Sequence, residues 1–152
     1  VVDLDVHQGN GTAAIFAHEP QVFTFSMHQQ NNYPSEEPRS DFDVGLPDGV
    51  RDERYLGFLG EHIPRILDAR RPEIVFYLAG ADPYREDQLG GLGLSIDGLR
   101  QRDRLVLHEC HHRNIPVAIT LAGGYALRTD DTVAIHVGTV QEALDTKRSA
   151  HV

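Results

Sequence analysis

An α/β fold of three layers, with helices on both faces of a mainly parallel sheet, is predicted by three features of the sequence. Short apolar runs alternate along the chain with longer segments of helical periodicity, the order that produces parallel sheets. One run, Ile74 to Ala79 (IVFYLA), is apolar throughout between Pro72 and Gly80, as a strand covered on both faces would be. Polar residues and glycines stand just past each strand: Asp5 and His7 after the first, Ser26 and His28 after the second, Asp82 after the third, and Gly123, Gly124 and Tyr125 after the fourth. Ligands bind outside the carboxyl ends of the strands in such sheets.

Taken in order, Val1 to Leu4 form the first strand, and Asp3, Asp5 and His7 follow at alternate positions, which puts their side chains on one side. Two carboxylates converging there repel one another unless a cation sits between them, and an imidazole beside them adds a nitrogen donor, so a metal is the economical reading. The alternative is that Asp3 and Asp5 cap a helix starting near Gly11. Gly9 and Gly11 are expected to let the backbone turn tightly. Thr12 to Ala17 is a short helix that Pro20 prevents from extending, and Gln21 to Met27 is a second strand, rich in β-branched and aromatic residues. Gln29 to Gly49, carrying Pro34, Pro38 and Pro47, reads as a long loop.

Tyr55, Leu56, Leu59, Ile63, Ile66 and Leu67 recur at helical spacing between Asp52 and Ala69, with Pro64 as the one expected kink. After the strand Ile74 to Ala79, a loop from Gly80 to Ser95 leads to a helix from Ile96 to His112, with Leu99, Asp103, Val106, Leu107 and Cys110 on one face. Pro116 to Leu121 is the fourth strand. A last helix begins near Thr129, with Asp130 and Asp131 in its first turn, and runs to about Leu144.

Composition bounds the function. A chain of 152 residues with 40% apolar content fits one globular domain with a real core. A net charge of -9 argues against direct binding of nucleic acid and suits a basic peptide or polyamine partner. No apolar run approaches the roughly 18 residues of a membrane span. The single cysteine, Cys110, allows no internal disulfide, and the expectation is a soluble cytoplasmic protein. The chain opens without Met, inside a strand that already carries the site, and reads as the C-terminal part of a single catalytic domain, incomplete at its N-terminus.

The stretch DLDVHQGNG resembles the zinc-binding segment of the histone deacetylase superfamily, and HQGNGT is most similar to the class IV deacetylases and their bacterial relatives. The resemblance implies an arginase/deacetylase-like fold. It implies that Asp5, His7 and Asp82, the last in LAGADPYREDQLGGL, bind Zn2+ and leave it an open position for water and a substrate carbonyl. Tyr125, in Gly123-Gly124-Tyr125, would be the catalytic hydrogen-bond donor to the oxyanion. Gly90, Gly91 and Gly124 would approach the substrate, the first two through the loop Asp87-Gln88-Leu89-Gly90-Gly91-Leu92. A monovalent cation, potassium, would be held beside the zinc by Asp3, Asp5, His7, Ser26 and Met27, and a weaker such site would use main-chain oxygens of Phe16, Glu19 and Val22.

The implied activity is zinc-dependent hydrolysis of an acylated amine: an acetyl- or fatty acyl-lysine peptide, an acetylpolyamine or a small acylated amine. The family's tandem histidines lie upstream of the zinc strand, so His111 and His112 are assigned instead to a solvated helix end, and this stretch alone is expected to be inactive. His18, His62, His108, His136 and His151 have no motif around them and read as surface residues. Two alternatives are a non-catalytic metal-binding or interaction fragment and an arginase-like binuclear metallohydrolase, which would need a further His and Asp cluster.

Overall fold

The computed structural model describes residues 1–35 and 38–149. Five parallel strands form one sheet in the order β3-β2-β1-β4-β5: β1 (Val2–Asp3), β2 (Phe25–Gln29), β3 (Phe42–Leu46), β4 (Val75–Ala79) and β5 (Val117–Leu121). Three helices lie between strands, α1 (Asn10–Phe16), α2 (Asp52–Arg70) and α3 (Ile96–His112), and α4 (Thr129–Ser149) follows β5. The α/β class and the parallel sheet are as predicted.

The core follows from two periodicities. Val2, Leu4, Phe25, Met27, Val75, Tyr77 and Ala79 occupy alternate strand positions and point to one face of the sheet. Helix α2 meets that face with Tyr55, Leu59, Ile63 and Leu67, four residues apart and all buried. Asp52 and Glu53 suit its amino end, and Arg71, left-handed at φ 46, closes it with an N–H bond to Leu67 O. Pro64 lies inside α2 without ending it. Helix α3 adds Leu99, Val106 and Cys110 to the same cluster, as its predicted face requires, and is capped by Ser95, whose Oγ accepts the Gly98 N–H at 2.9 Å.

Several expectations are corrected. The strand β3 lies inside the predicted loop Gln29 to Gly49; Phe42, Val44 and Leu46 alternate toward the core, but its polar flanks and the glycine at 45 mask the pattern. The second strand starts at Phe25, because Glu19 and Val22 N–H groups bond back in successive turns, so Ser26 and His28 lie within it rather than beyond it. The run Ile74 to Ala79 is not covered on both faces: Ile74 and Phe76 are 46% and 47% exposed, since no described helix packs on that side of β4. The third layer is therefore partial, with Gly9 and the start of α1 lying over Asp3.

Gly9 has φ -73, and its need is space: a Cβ there would stand 2.3 Å from Asp3 Oδ2. Gly11 is simply a residue of α1. Helix α4 runs on past Leu144 to Ser149, where Lys147 and Arg148 complement its dipole. His62 and His136 are half-buried rather than surface residues; His62 packs edge-on against Phe42, and burial lowers the pKa of His136. His151 lies outside the described residues.

Covered and bare faces of one sheet should respond differently to truncation. In urea unfolding of this chain, Ile63→Ala is expected to cost about 3 kcal/mol, because it opens a cavity in the buried layer, and Phe76→Ala about 1 kcal/mol or less. Equal losses would place a helix over Phe76 that the described residues do not supply.

Candidate metal centre

The strand order reverses between β1 and β4: from β1 the chain moves to β2 and β3 on one side, and from β4 to β5 on the other. Main-chain segments leaving two neighbouring strands in opposite directions open a crevice at their carboxyl ends. Asp5 and His7 follow β1 into that crevice, and Asp82 follows β4. One ligand atom from each of the three lies within 4.8 Å of the others. His7 Nδ1 stands 3.0 Å from Asp5 Oδ1 and 3.5 Å from Asp82 Oδ2.

Backbone amides fix both carboxylates. Val6 N–H donates to Asp82 Oδ1 at 2.8 Å, and Gly123 N–H donates to Asp5 Oδ2 at 2.9 Å, so each carboxylate is held by a segment that follows a different strand. A Cβ at Gly123 would come within 1.9 Å of Asp82 Oδ2 and 2.7 Å of Asp5 Oδ2. Only glycine allows the loop after β5 to close over the carboxylates this tightly. Helix α1 takes nothing from this group: its N-cap is Gly9, with no side-chain cap bond, so Asp3 and Asp5 are not capping residues.

Crowding marks the electrostatics. Burial, opposed by the His7 hydrogen bond and reinforced by the charge of Asp5, raises the pKa of Asp82. Asp3, on the opposite strand face from Val2 and Leu4, is pushed up to about 7, first by burial and then by Asp5 and Asp82, although its bond from Asp5 N–H opposes the shift. His7 is raised to about 9, chiefly by its hydrogen bond to Asp82, against the desolvation that lowers it, with Asp5 adding to the rise. Two oxygen donors and one nitrogen donor converging in strongly negative surroundings fit a small divalent cation of borderline softness, with room left in its coordination shell.

A histone deacetylase domain profile matches residues 1–140. The chain belongs to the histone deacetylase family. It is 49% identical over 136 residues to an uncharacterised protein of Picosynechococcus sp., covering 90% of this chain and 45% of that protein. It is 33% identical over 128 residues to histone deacetylase 2 of Arabidopsis thaliana, covering 82% of this chain and 33% of that protein. The chain thus spans less than half the length of these relatives. Among solved structures, the HDA15 HD domain superposes with a TM-score of 0.77 at 27% identity, over 94% of this chain and 44% of that one. The acetylpolyamine aminohydrolase of Burkholderia pseudomallei shares the fold, with a TM-score of 0.77 at 22% identity over 93% of this chain and 43% of that one.

The remaining residues that the family resemblance singles out are distributed around the cluster. Tyr125 is 63% exposed, two positions past Gly123, and its N–H donates to Asp87 Oδ2 at 2.6 Å. The same Asp87 accepts from Leu89 and Gly90 N–H through Oδ1, so one buried carboxylate ties the glycine loop to the tyrosine. Gly90 lies against the ligand loop, where a Cβ would meet Asp82 O at 2.3 Å. Gly91 N–H donates to buried Gln29 Oε1, and Gly124 links Gly123 to Tyr125. Ser26 pairs with Asp3 across the strands, its hydroxyl 2.9 Å from His28 Nδ1, while the side chain of Met27 is buried in the core and leaves only main-chain oxygen for a cation. Phe16 O and Glu19 O already accept N–H bonds within the turns that precede β2.

His111 and His112 end α3 just ahead of β5, so they lie toward the amino ends of the strands, away from the carboxyl-end cluster. Sequence reasoning names Asp87 only as the start of the glycine loop and Gln29 only as the start of a longer one, and it misses the contacts of both as well as Arg102. An Asp followed at its second and third positions by residues whose amides need acceptors is a readable turn signal for Asp87. Gln29 lay in the predicted loop, and Arg102 in a helix reads as a solvated charge, so neither gave any sign of its burial.

Proposed function

We propose that this chain carries the metal centre of a zinc-dependent deacylase, a hydrolase that removes an acyl group from an acylated amine. The convergence of Asp5, His7 and Asp82 at the reversal of strand order is the observation that carries this reading. Family membership supports it, as do the names of its relatives, which include histone deacetylases and an acetylpolyamine aminohydrolase. Zinc bound there supplies a Lewis acid toward the acyl carbonyl and lowers the pKa of a bound water.

The chain's own residues supply the rest of the site. Asp5 and Asp82 would offset the ion's charge, and the amides of Gly123 and Val6 each hold one carboxylate oxygen and so fix the orientation of both side chains. Tyr125, placed by Asp87, donates its phenol proton in a hydrogen bond to the oxyanion that develops on the substrate carbonyl. Gly90, Gly91 and Gly124 present backbone toward the acyl chain. Asp3, Ser26 and the main-chain oxygens of Met27, Asp5 and His7 would hold a potassium ion, which would offset buried negative charge. The net charge of -9 favours cationic substrates such as a lysine peptide or an acetylpolyamine. A binuclear, arginase-like arrangement has no observation in its favour, since one ligand cluster of this kind occurs among the described residues.

The metal reading is tested by elemental analysis and calorimetry on the purified chain. About one zinc per chain is expected, with affinity falling at least tenfold in Asp82→Ala, and full retention in that variant would remove Asp82 from the site. In a longer version of the protein that is active, Tyr125→Phe should lower kcat about 100-fold with the zinc Kd unchanged, whereas a loss confined to KM would assign Tyr125 to substrate binding instead.

The chain by itself is expected to turn over neither acetyl- nor long-acyl-lysine peptides. Moving a proton from the attacking water to the departing amine is typically worth about 10²- to 10⁴-fold, and His111 and His112 stand at the wrong end of the sheet to do it. Turnover that disappears in His111→Ala/His112→Ala would show that this placement is wrong.

A further inference from the structure

Beyond the last ladder bond between β1 and β4, from Leu4 N–H to Leu78 O at 3.1 Å, the two segments separate and their carbonyls lose their partners in the sheet. Arg102 of α3, completely buried, replaces those partners. Its Nη1 donates to Gly80 O, two residues before Asp82, at 2.6 Å and to Leu4 O, just before Asp5, at 3.3 Å. Its charge is met by Asp103, with Nε 2.9 Å and Nη2 2.8 Å from Oδ1. Asp103 in turn accepts from Tyr77 Oη of β4 at 2.5 Å and Thr139 Oγ1 of α4 at 2.6 Å. The guanidinium is thus fixed from three elements before it reaches the sheet.

From this juxtaposition we propose that Arg102 is a positioning residue for the metal centre: it touches neither ligand carboxylate, and it sets the spacing between Asp5 and Asp82 by clamping the two backbone segments that carry them. The inference rests on the metal reading above. Spacing is sensitive here because the segments are already in contact; a Cβ at Gly80 would stand 2.7 Å from Asp5 Cα and 2.8 Å from Asp82 Oδ1, so a slip of either backbone moves donor atoms directly. Arginine suits the task and lysine does not. Nη1 serves both carbonyls while Nε of the same rigid plane bonds Asp103 and fixes where Nη1 stands, whereas an ammonium on a flexible stem has no second nitrogen to anchor it against Asp103 while it reaches the carbonyls.

The experiment compares Arg102→Met, Arg102→Lys and, as a stability control remote from the clamp, Ile63→Ala. The zinc Kd is measured by competition with a chromophoric chelator, and the visible absorption of the cobalt(II)-loaded chain reports ligand geometry. Arg102→Met is expected to weaken zinc at least tenfold and Arg102→Lys at least threefold, both with altered cobalt spectra, while Ile63→Ala loses stability and keeps its Kd within twofold. Parent-like Kd and spectrum in Arg102→Lys would overturn the proposal, as would an equal loss in Ile63→Ala, and the lysine variant decides the matter if the methionine variant does not fold. Should the parent chain bind no zinc, the metal reading fails separately. The clamp is then judged without metal, by amide exchange at Leu4 and Val6, which Arg102→Lys should accelerate relative to Leu59 of α2. Unchanged relative exchange there would refute it.

Discussion

Asp82 accepts the N–H of Val6, and Asp5 accepts the N–H of Gly123, so each carboxylate is held by backbone from a segment that follows a different strand. Three strand ends, those of β1, β4 and β5, are joined by this exchange at the point where the sheet changes direction. Its physical cost is burial of carboxylates close to one another: desolvation first, and the neighbouring negative charge second, raise the pKa of Asp3 and of Asp82. Amide dipoles offset part of that charge, and the imidazole of His7, held between the two carboxylates, offsets more.

Beneath the crevice the chain buries a full ion pair. Arg102 is paired with Asp103, which also accepts from Tyr77 and Thr139, and both charged side chains are buried. Buried pairs of this kind seldom add stability compared with well-packed apolar side chains, since desolvation consumes most of their attraction. Their value lies in directed hydrogen bonds, and here those bonds end on the two carbonyls that precede the proposed ligands. A hydrophobic core could pack α3 against the sheet, but it could not hold two diverging backbones at a set distance.

How far this was legible in the sequence depended on whether a residue acts through periodicity or through partners remote in the chain. The ladder Tyr55, Leu59, Ile63, Leu67 and the inner face of α3 were readable because burial repeats at helical spacing. Asp5, His7 and Asp82 were readable because they stand after apolar strands and match a family pattern, and the structure brings their donor atoms together. The strand β3 was hidden, since Phe42, Val44 and Leu46 sit between Asp, Gly and Pro residues that signal loops. Exposure of Phe76 contradicted an apolar run whose composition carries no record of what packs on it. Asp87, Gln29 and Arg102 gain their roles from atoms distant in sequence, such as Tyr125 N, Gly91 N and Gly80 O, and nothing local announces those contacts.

One imidazole and two carboxylates, converging where β1 and β4 part, are the proposed zinc site. X-ray absorption at the zinc edge of the zinc-loaded chain tests it most directly, because the nearest shell reports ligand type. The expected spectrum shows only nitrogen and oxygen neighbours at about 2.0 to 2.2 Å, with outer-shell scattering from a single imidazole. Scattering from two or more imidazoles would place the ion on the histidines at the end of α3, and a sulfur neighbour near ~2.3 Å would place it on Cys110; either result would contradict the account.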